Sequence, residues 1–295
     1  MRRKDRVGLH DVATPLSVDT CFACPYLQCA RGIPLRMSSA NVVAPSSVRP
    51  TTLPVCLVLS WVMNRQRRPC CIYGGAFRQG SASAWTDFAG RLAKRTNARV
   101  VVPDYRLAPE YPFPAALHDC AAVLVALCGK GRPIILSGDS AGGGLALSLA
   151  AICASPTRLA GLALLSPWTD LNVTADSFAD CAATDVLFSR DAAHEAAELY
   201  LQGIGADDPL ASPHFADLTT LPPVLLMAST IEVLRDDATR LVERLARANR
   251  RVDALFETDV PHDWPFVLPD HPATARALAR YATFVAEVTS TTEGV

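Results

Sequence analysis

The chain has 295 residues, 50% of them hydrophobic and 19% charged, with a formal net charge of -1. That length and apolar content can bury a large core and read as one α/β domain with room for a small lid. The near-zero charge gives no electrostatic footprint for nucleic acid or for an acidic surface.

The first 72 residues hold six of the ten cysteines (Cys21, Cys24, Cys29, Cys56, Cys70 and Cys71), several prolines and the basic run Arg65-Gln66-Arg67-Arg68. They show little hydrophobic alternation; 55–63 reads as one strand, and 65–69 interrupts the apolar stretch that leads to Gly74. Cys21-x-x-Cys24 with Cys29 suggests zinc, yet no partner CxxC or HxxxH pair follows. A disulfide framework is disfavoured, because cysteines continue into buried-looking helices and no secretory signal is present. The preferred reading of residues 1–69 is a divergent terminus or a segment of altered reading frame, poorly ordered, standing where a cap and the first strands belong. The basic start Met1-Arg2-Arg3-Lys4-Asp5-Arg6 lacks a following apolar region, so it is no secretory signal. The run 53–63 is too short to insert stably in a bilayer, which needs about 20 apolar residues. A cytoplasmic location is the default.

Residues 70–295 carry the expected catalytic domain. Strands are expected near 99–103, 133–137, 159–165, 224–228 and 252–256, alternating with helices near 83–96, 114–128, 141–154, 191–201, 237–249 and 273–288. Such alternation implies a mostly parallel sheet with helices on both faces, and the nearly continuous apolar runs suit strands buried on both sides. The strand Pro133-Ile134-Ile135-Leu136 runs into Gly138-Asp139-Ser140-Ala141-Gly142-Gly143 and then into an apolar helical run, 145–152. A GxSxG turn between strand and helix makes Ser140 a candidate nucleophile, although a small-residue turn also serves plain helix-sheet packing. The segment 171–205 intervenes between two core strands with a helix of its own and is the expected cap insertion; Trp168, Phe178, Phe188 and Phe215 are candidates for pocket lining or ordinary core and surface aromatics.

A serine nucleophile needs a base and an acid, which in the elbow-bearing fold follow it in the order Asp or Glu, then His. Pro223-Val224-Leu225-Leu226-Met227-Ala228 reads as a buried strand, and Glu232, Asp236 and Asp237 come just beyond it. Catalytic groups of open α/β sheets gather beyond the carboxyl ends of strands. Glu232, nearest the strand end, is favoured; Asp236 is the fallback, since helix starts favour acids anyway. Of the six histidines, His10 and His118 precede the elbow, His194 lies in a helical run, His214 in a connecting loop, and His271 reads as a helix start. His262, in Val260-Pro261-His262-Asp263-Trp264 between the last strand and the last helix, is the favoured base, although a lone loop histidine is more often a surface residue.

From about Tyr73 to the end the chain resembles the hormone-sensitive-lipase family of α/β-hydrolase esterases. The resemblance rests on the elbow, on Tyr73-Gly74-Gly75-Ala76-Phe77 at the place of the family's HGGGF, and on Val102-Pro103-Asp104-Tyr105-Arg106-Leu107-Ala108-Pro109-Glu110. It continues through Phe113-Pro114-Ala115-Ala116, Asp208-Pro209-Leu210-Ala211-Ser212-Pro213, Leu221-Pro222-Pro223 and Glu232-Val233-Leu234-Arg235-Asp236, the counterpart of the family's DPLRD. It implies the α/β-hydrolase fold with a small helical cap, and a triad of Ser140, Glu232 (where the family usually has Asp) and His262. It further implies an oxyanion hole drawn from Gly74, Gly75 and Ala76 with Ala141, since small residues let backbone donors approach the developing negative charge. Tyr73 replaces the family's leading His, and either holds this loop through its hydroxyl or misplaces the donors.

The expected activity is that of a serine carboxylesterase on short-chain acyl esters, working through an acyl-enzyme with a small-molecule substrate, no cofactor and no metal. The other readings are an amidase or deacylase of the same mechanism, and a catalytically weak ligand-binding protein on the scaffold, resembling the plant gibberellin receptors. The oligomeric state is open, a homodimer included.

Overall fold

The computed structural model describes residues 37–39, 55–59 and 68–290 apart from 129–132 and 154–158, with side chains from Cys70 onward. The chain starts with β1 (Met37–Ser39), β2 (Val55–Leu59) and β3 (Arg68–Ile72), followed by α1 (Thr86–Thr96), β4 (Val100–Asp104) and α2 (Ala115–Cys128). Then come β5 (Ile134–Asp139), α3 (Ser140–Ile152), β6 (Leu159–Leu165), α4 (Ser177–Asp180) and α5 (Arg190–Leu201). The last part holds β7 (Val224–Ser229), α6 (Arg235–Arg247), β8 (Val252–Glu257), α7 (Trp264–Val267) and α8 (Pro272–Ser290).

These strands form one sheet in the order β1-β2-β4-β3-β5-β6-β7-β8. β2 pairs antiparallel with β4, whereas β3 to β8 run parallel to one another. The architecture is the α/β-hydrolase fold expected from the sequence. β5, β6 and β7 are buried along their whole lengths, which is why they carry apolar runs without alternation. β8, at the sheet edge, is only half-buried. α1 packs with α8 and α2 with α3, so both faces of the sheet are covered.

β3 is not among the expected strands. Arg68, Pro69 and two cysteines carry none of the β-branched pattern that marks a strand, and only pairing with β4 and β5 places it at the sheet centre. Of residues 1–69 only 37–39, 55–59 and 68–69 are described; the remainder on which the reading as divergent or poorly ordered rests, and Cys21, Cys24 and Cys29 weighed as zinc ligands, lie outside the described residues. The span 171–205, between β6 and β7, contains α4 and α5.

Candidate active site

The nucleophile elbow is built by steric necessity. β5 ends at Asp139, and Ser140 opens α3 with φ 50, a left-handed conformation that costs a non-glycine residue energy unless its surroundings enforce it. The neighbours must be glycine. A Cβ on Gly138 would collide with the Gly142 carbonyl, and one on Gly142 with the carbonyls of Ile72 and Tyr73. The first turn of α3 is thus pressed against the end of β3, and the Ser140 side chain opens into a cleft of about 610 Å³, within the range of small-molecule sites.

Gly75, Ala76, Phe188 and His262 line the same cleft. His262 sits in the loop after β8 and is buried, with Nδ1 3.0 Å from Glu232 Oε2. Glu232 is buried in the turn after β7; burial pushes its carboxyl above the usual range, opposed by the hydrogen bond to His262. Asp236 and Asp237 are engaged elsewhere. Asp236 accepts the Ser177 N–H at 2.9 Å and pairs with Arg235, while Asp237 Oδ2 accepts the N–H groups of Thr169 and Asp170. Both tie α6 to the segment that follows β6. None of the other described histidines lines the cleft: His194 and His271 are exposed, and His271 Nδ1 accepts the Ala273 N–H at the start of α8.

One contact was not expected. Asp263, whose φ is 52, places Oδ2 3.2 Å from His262 Nε2, the nitrogen that must face a serine hydroxyl. The ring therefore lies between two carboxylates. Burial disfavours the charged imidazolium, but Asp263 and Glu232 together outweigh it and hold the His262 pKa well above the ordinary histidine value. The signal was available in the sequence as an acid adjacent to the base, but adjacency alone does not turn a side chain back onto its neighbour.

The loop facing Ser140 is wired to the elbow. Gly74, expected among the oxyanion donors, gives its N–H to Asp139 Oδ2 at 2.8 Å and is thereby removed from that set. Gly75, with φ 106, and Ala76, with φ 52, turn back toward the cleft, and a Cβ on Gly75 would strike the Gln79 carbonyl. Ala141 lies in the first turn of α3, where backbone N–H groups have no intrahelical partner.

Tyr73 is buried, its ring stacked on Tyr105 at 4.3 Å; its hydroxyl donates to the Tyr105 carbonyl at 3.3 Å, and the Tyr105 hydroxyl to the Tyr73 carbonyl at 2.8 Å. This reciprocal pair anchors the loop that faces Ser140. Trp85 completes the frame: its Nε1 donates to Asp139 Oδ1 at 3.1 Å, and its ring packs against Tyr73 and stacks on Phe266. A second cavity of about 20 Å³ lies against Trp85 and Asp139, lined also by Cys71 and Tyr281, and is of a size for a single water.

Of the aromatics weighed as pocket lining, Phe188 lines the cleft, Trp168 and Phe178 are buried, and Phe215 is largely exposed. Among the described residues no cluster of three or more His, Cys, Asp or Glu side chains is placed to hold a metal, and no helix is long and apolar enough to cross a membrane.

Comparison with known proteins points the same way as the geometry. A family model described as alpha/beta hydrolase fold matches residues 70–266. An acetyl-hydrolase of Streptomyces hygroscopicus is 35% identical over 229 residues, 76% of each chain. An esterase of Acinetobacter venetianus is 36% identical over 219 residues, 72% of each chain. Among solved structures, an esterase from the bacterial hormone-sensitive lipase family superposes with a TM-score of 0.73 at 35% identity, covering 77% of this chain and 78% of that one.

Proposed function

This chain belongs to the alpha/beta hydrolase family, in its hormone-sensitive-lipase branch, and on that premise we propose a serine carboxylesterase whose triad is Ser140, His262 and Glu232. The observation that carries the assignment is that Ser140, in a left-handed turn, opens on the same cleft as a histidine whose far nitrogen is 3.0 Å from a buried carboxylate.

With the His262 ring neutral, its Nε2 proton lost to solvent and Asp263 withdrawn from Nε2, Ser140 Oγ attacks the ester carbonyl carbon as its proton passes to that nitrogen. Glu232 fixes the ring tautomer through Nδ1–H and stabilises the imidazolium that forms. The N–H groups of Gly75, Ala76 and Ala141 receive the negative oxygen of the tetrahedral intermediate. Collapse expels the alcohol, which takes the proton from Nε2 and leaves an acyl-Ser140. Water, activated by the same nitrogen, hydrolyses that acyl group and regenerates the serine. Short acyl groups fit the cleft's size and the similarity to an acetyl-hydrolase. We read residues 171–205 as the cap contribution, a reading supported by Leu187, Phe188 and Ala192 of that span in the cleft wall.

Ser140→Ala is expected to abolish hydrolysis of p-nitrophenyl acetate and butyrate and to abolish labelling by a fluorophosphonate probe. Unchanged turnover in the variant would sink the assignment. An unlabelled wild-type protein would point instead to a binding scaffold.

A further inference from the structure

We propose that this site takes esters bearing a second, anionic group, a carboxylate, that Arg78 pairs with, an inference that rests on the esterase reading above. Arg78 follows Ala76 by two residues in the loop facing Ser140, and it lines the catalytic cleft. The wall around it is largely apolar, formed by Trp85, Leu187, Phe188, Phe266 and Val267. Among the described lining residues Arg78 is the only Lys or Arg. Asp263, the one carboxylate there, is turned onto the His262 ring and does not answer that charge.

A cation set in an apolar wall calls for a partner. The protein supplies an incomplete one: Glu195 Oε2 on α5 lies 3.0 Å from Nη1, with side-chain exposures of 20% for Arg78 and 62% for Glu195. A pair with so exposed a carboxylate contributes little and is readily exchanged. A guanidinium presents adjacent N–H groups as a fork that matches a carboxylate's two oxygens, and here the terminal nitrogen Nη1 is held by a replaceable surface acid. A substrate carboxylate in the cleft takes that acid's place on the terminal nitrogens. Glu195 on this view competes with the substrate for Arg78, whereas a mere latch between the loop and α5 would need Glu195 for every substrate alike.

The carboxylate can sit on the acyl or on the alcohol side, and two substrate pairs separate these sources. The acyl pair is the mono-4-nitrophenyl ester of adipic acid against 4-nitrophenyl hexanoate; the alcohol pair is 4-acetoxybenzoate against 4-acetoxybenzamide. The readout is the ratio of kcat/KM for the charged member to that for the neutral one, corrected for spontaneous hydrolysis. In at least one pair, Arg78→Gln is expected to lower the ratio about tenfold, as loss of a charge-assisted hydrogen bond implies. Arg78→Lys should retain part of it, Glu195→Gln should raise it, and added salt should reduce it in the wild type.

Ratios unmoved in both pairs by Arg78→Gln and by Glu195→Gln would overturn the proposal while leaving the esterase reading intact. Should Arg78→Gln fail to fold, Glu195→Gln and the salt series decide: a ratio that does not rise in the one and does not fall in the other refutes it. Failure of the wild type to hydrolyse any of the four esters refutes the esterase reading and this inference together.

Discussion

Gly74 gives its backbone N–H to Asp139 Oδ2 at 2.8 Å, so the residue before the nucleophile clamps the loop that faces the nucleophile. With the Trp85 indole on Oδ1, the buried carboxyl group serves two donors at once. Asp139→Ala is expected to lower kcat for p-nitrophenyl butyrate by about 10- to 100-fold with a smaller change in KM, because a shifted loop loses oxyanion stabilisation. Asp139→Asn, which keeps one acceptor oxygen, should fall between that variant and the wild type. Steady-state kinetics check both; a loss confined to KM would count against the clamp.

The contact of Asp263 with His262 Nε2 predicts a displaced pH profile. Proton abstraction needs a neutral imidazole, and the ring is faced by Glu232 on Nδ1, Asp263 on Nε2, Asp139 nearby and the uncharged Phe188 ring. The carboxylates raise its pKa against the effect of burial, so kcat/KM should decline with falling pH at a value above that of ordinary histidine. Asp263→Asn removes one of the charges that favour the imidazolium, so the acid limb should move to lower pH. A pH series of kcat/KM for both proteins tests this; a limb that stays put removes Asp263 from the titration.

Glu232 and Asp236 give a direct contrast. Glu232→Gln should cost about 100- to 10,000-fold in kcat, because the amide no longer fixes the His262 tautomer or stabilises its charge. Asp236→Asn weakens the bond to the Ser177 N–H and the pair with Arg235, so it should lower stability by about 1–2 kcal/mol and leave turnover close to the wild type. Kinetics and urea denaturation of the two variants settle which carboxylate serves the histidine; the reverse pattern would transfer the role to Asp236.

Tyr105→Phe removes the hydroxyl that binds the Tyr73 carbonyl at 2.8 Å and leaves that buried oxygen short of a donor, at a cost of about 1–3 kcal/mol. Tyr73→Phe deletes the longer bond, 3.3 Å, to the Tyr105 carbonyl and should cost less. Denaturation midpoints rank the two. A larger loss in Tyr73→Phe would mean that the loop hangs on that hydroxyl.

The parts of this molecule legible from sequence are those whose signal is local. β5, β6 and β7 carry apolar runs without alternation because they are buried on both faces, and the Gly138 and Gly142 spacing marks an elbow because any side chain there meets backbone. Glu232 stood out by its place just past a strand end. β3 escaped notice because its pairing with β4 and β5 overrides a sequence of Arg, Pro and Cys that argues against a strand. Gly74 was misassigned as a donor because the destination of its N–H is set by a side chain 65 positions away. Trp85 and Arg78 carried no mark of their own, and Tyr105 only its place in a motif; each matters through what the fold brings against it.

Trp85 touches three separately encoded stretches: Tyr73 before the oxyanion loop, Asp139 at the elbow, and Phe266 just past the histidine loop. Sequence change in any one of these is therefore not independent of the other two. Placing His at position 73 alone would set an imidazole against an indole and a Tyr105 ring already fitted to tyrosine. The three stretches thus work as one mechanical unit, and a substitution that suits one of them has to suit the other two.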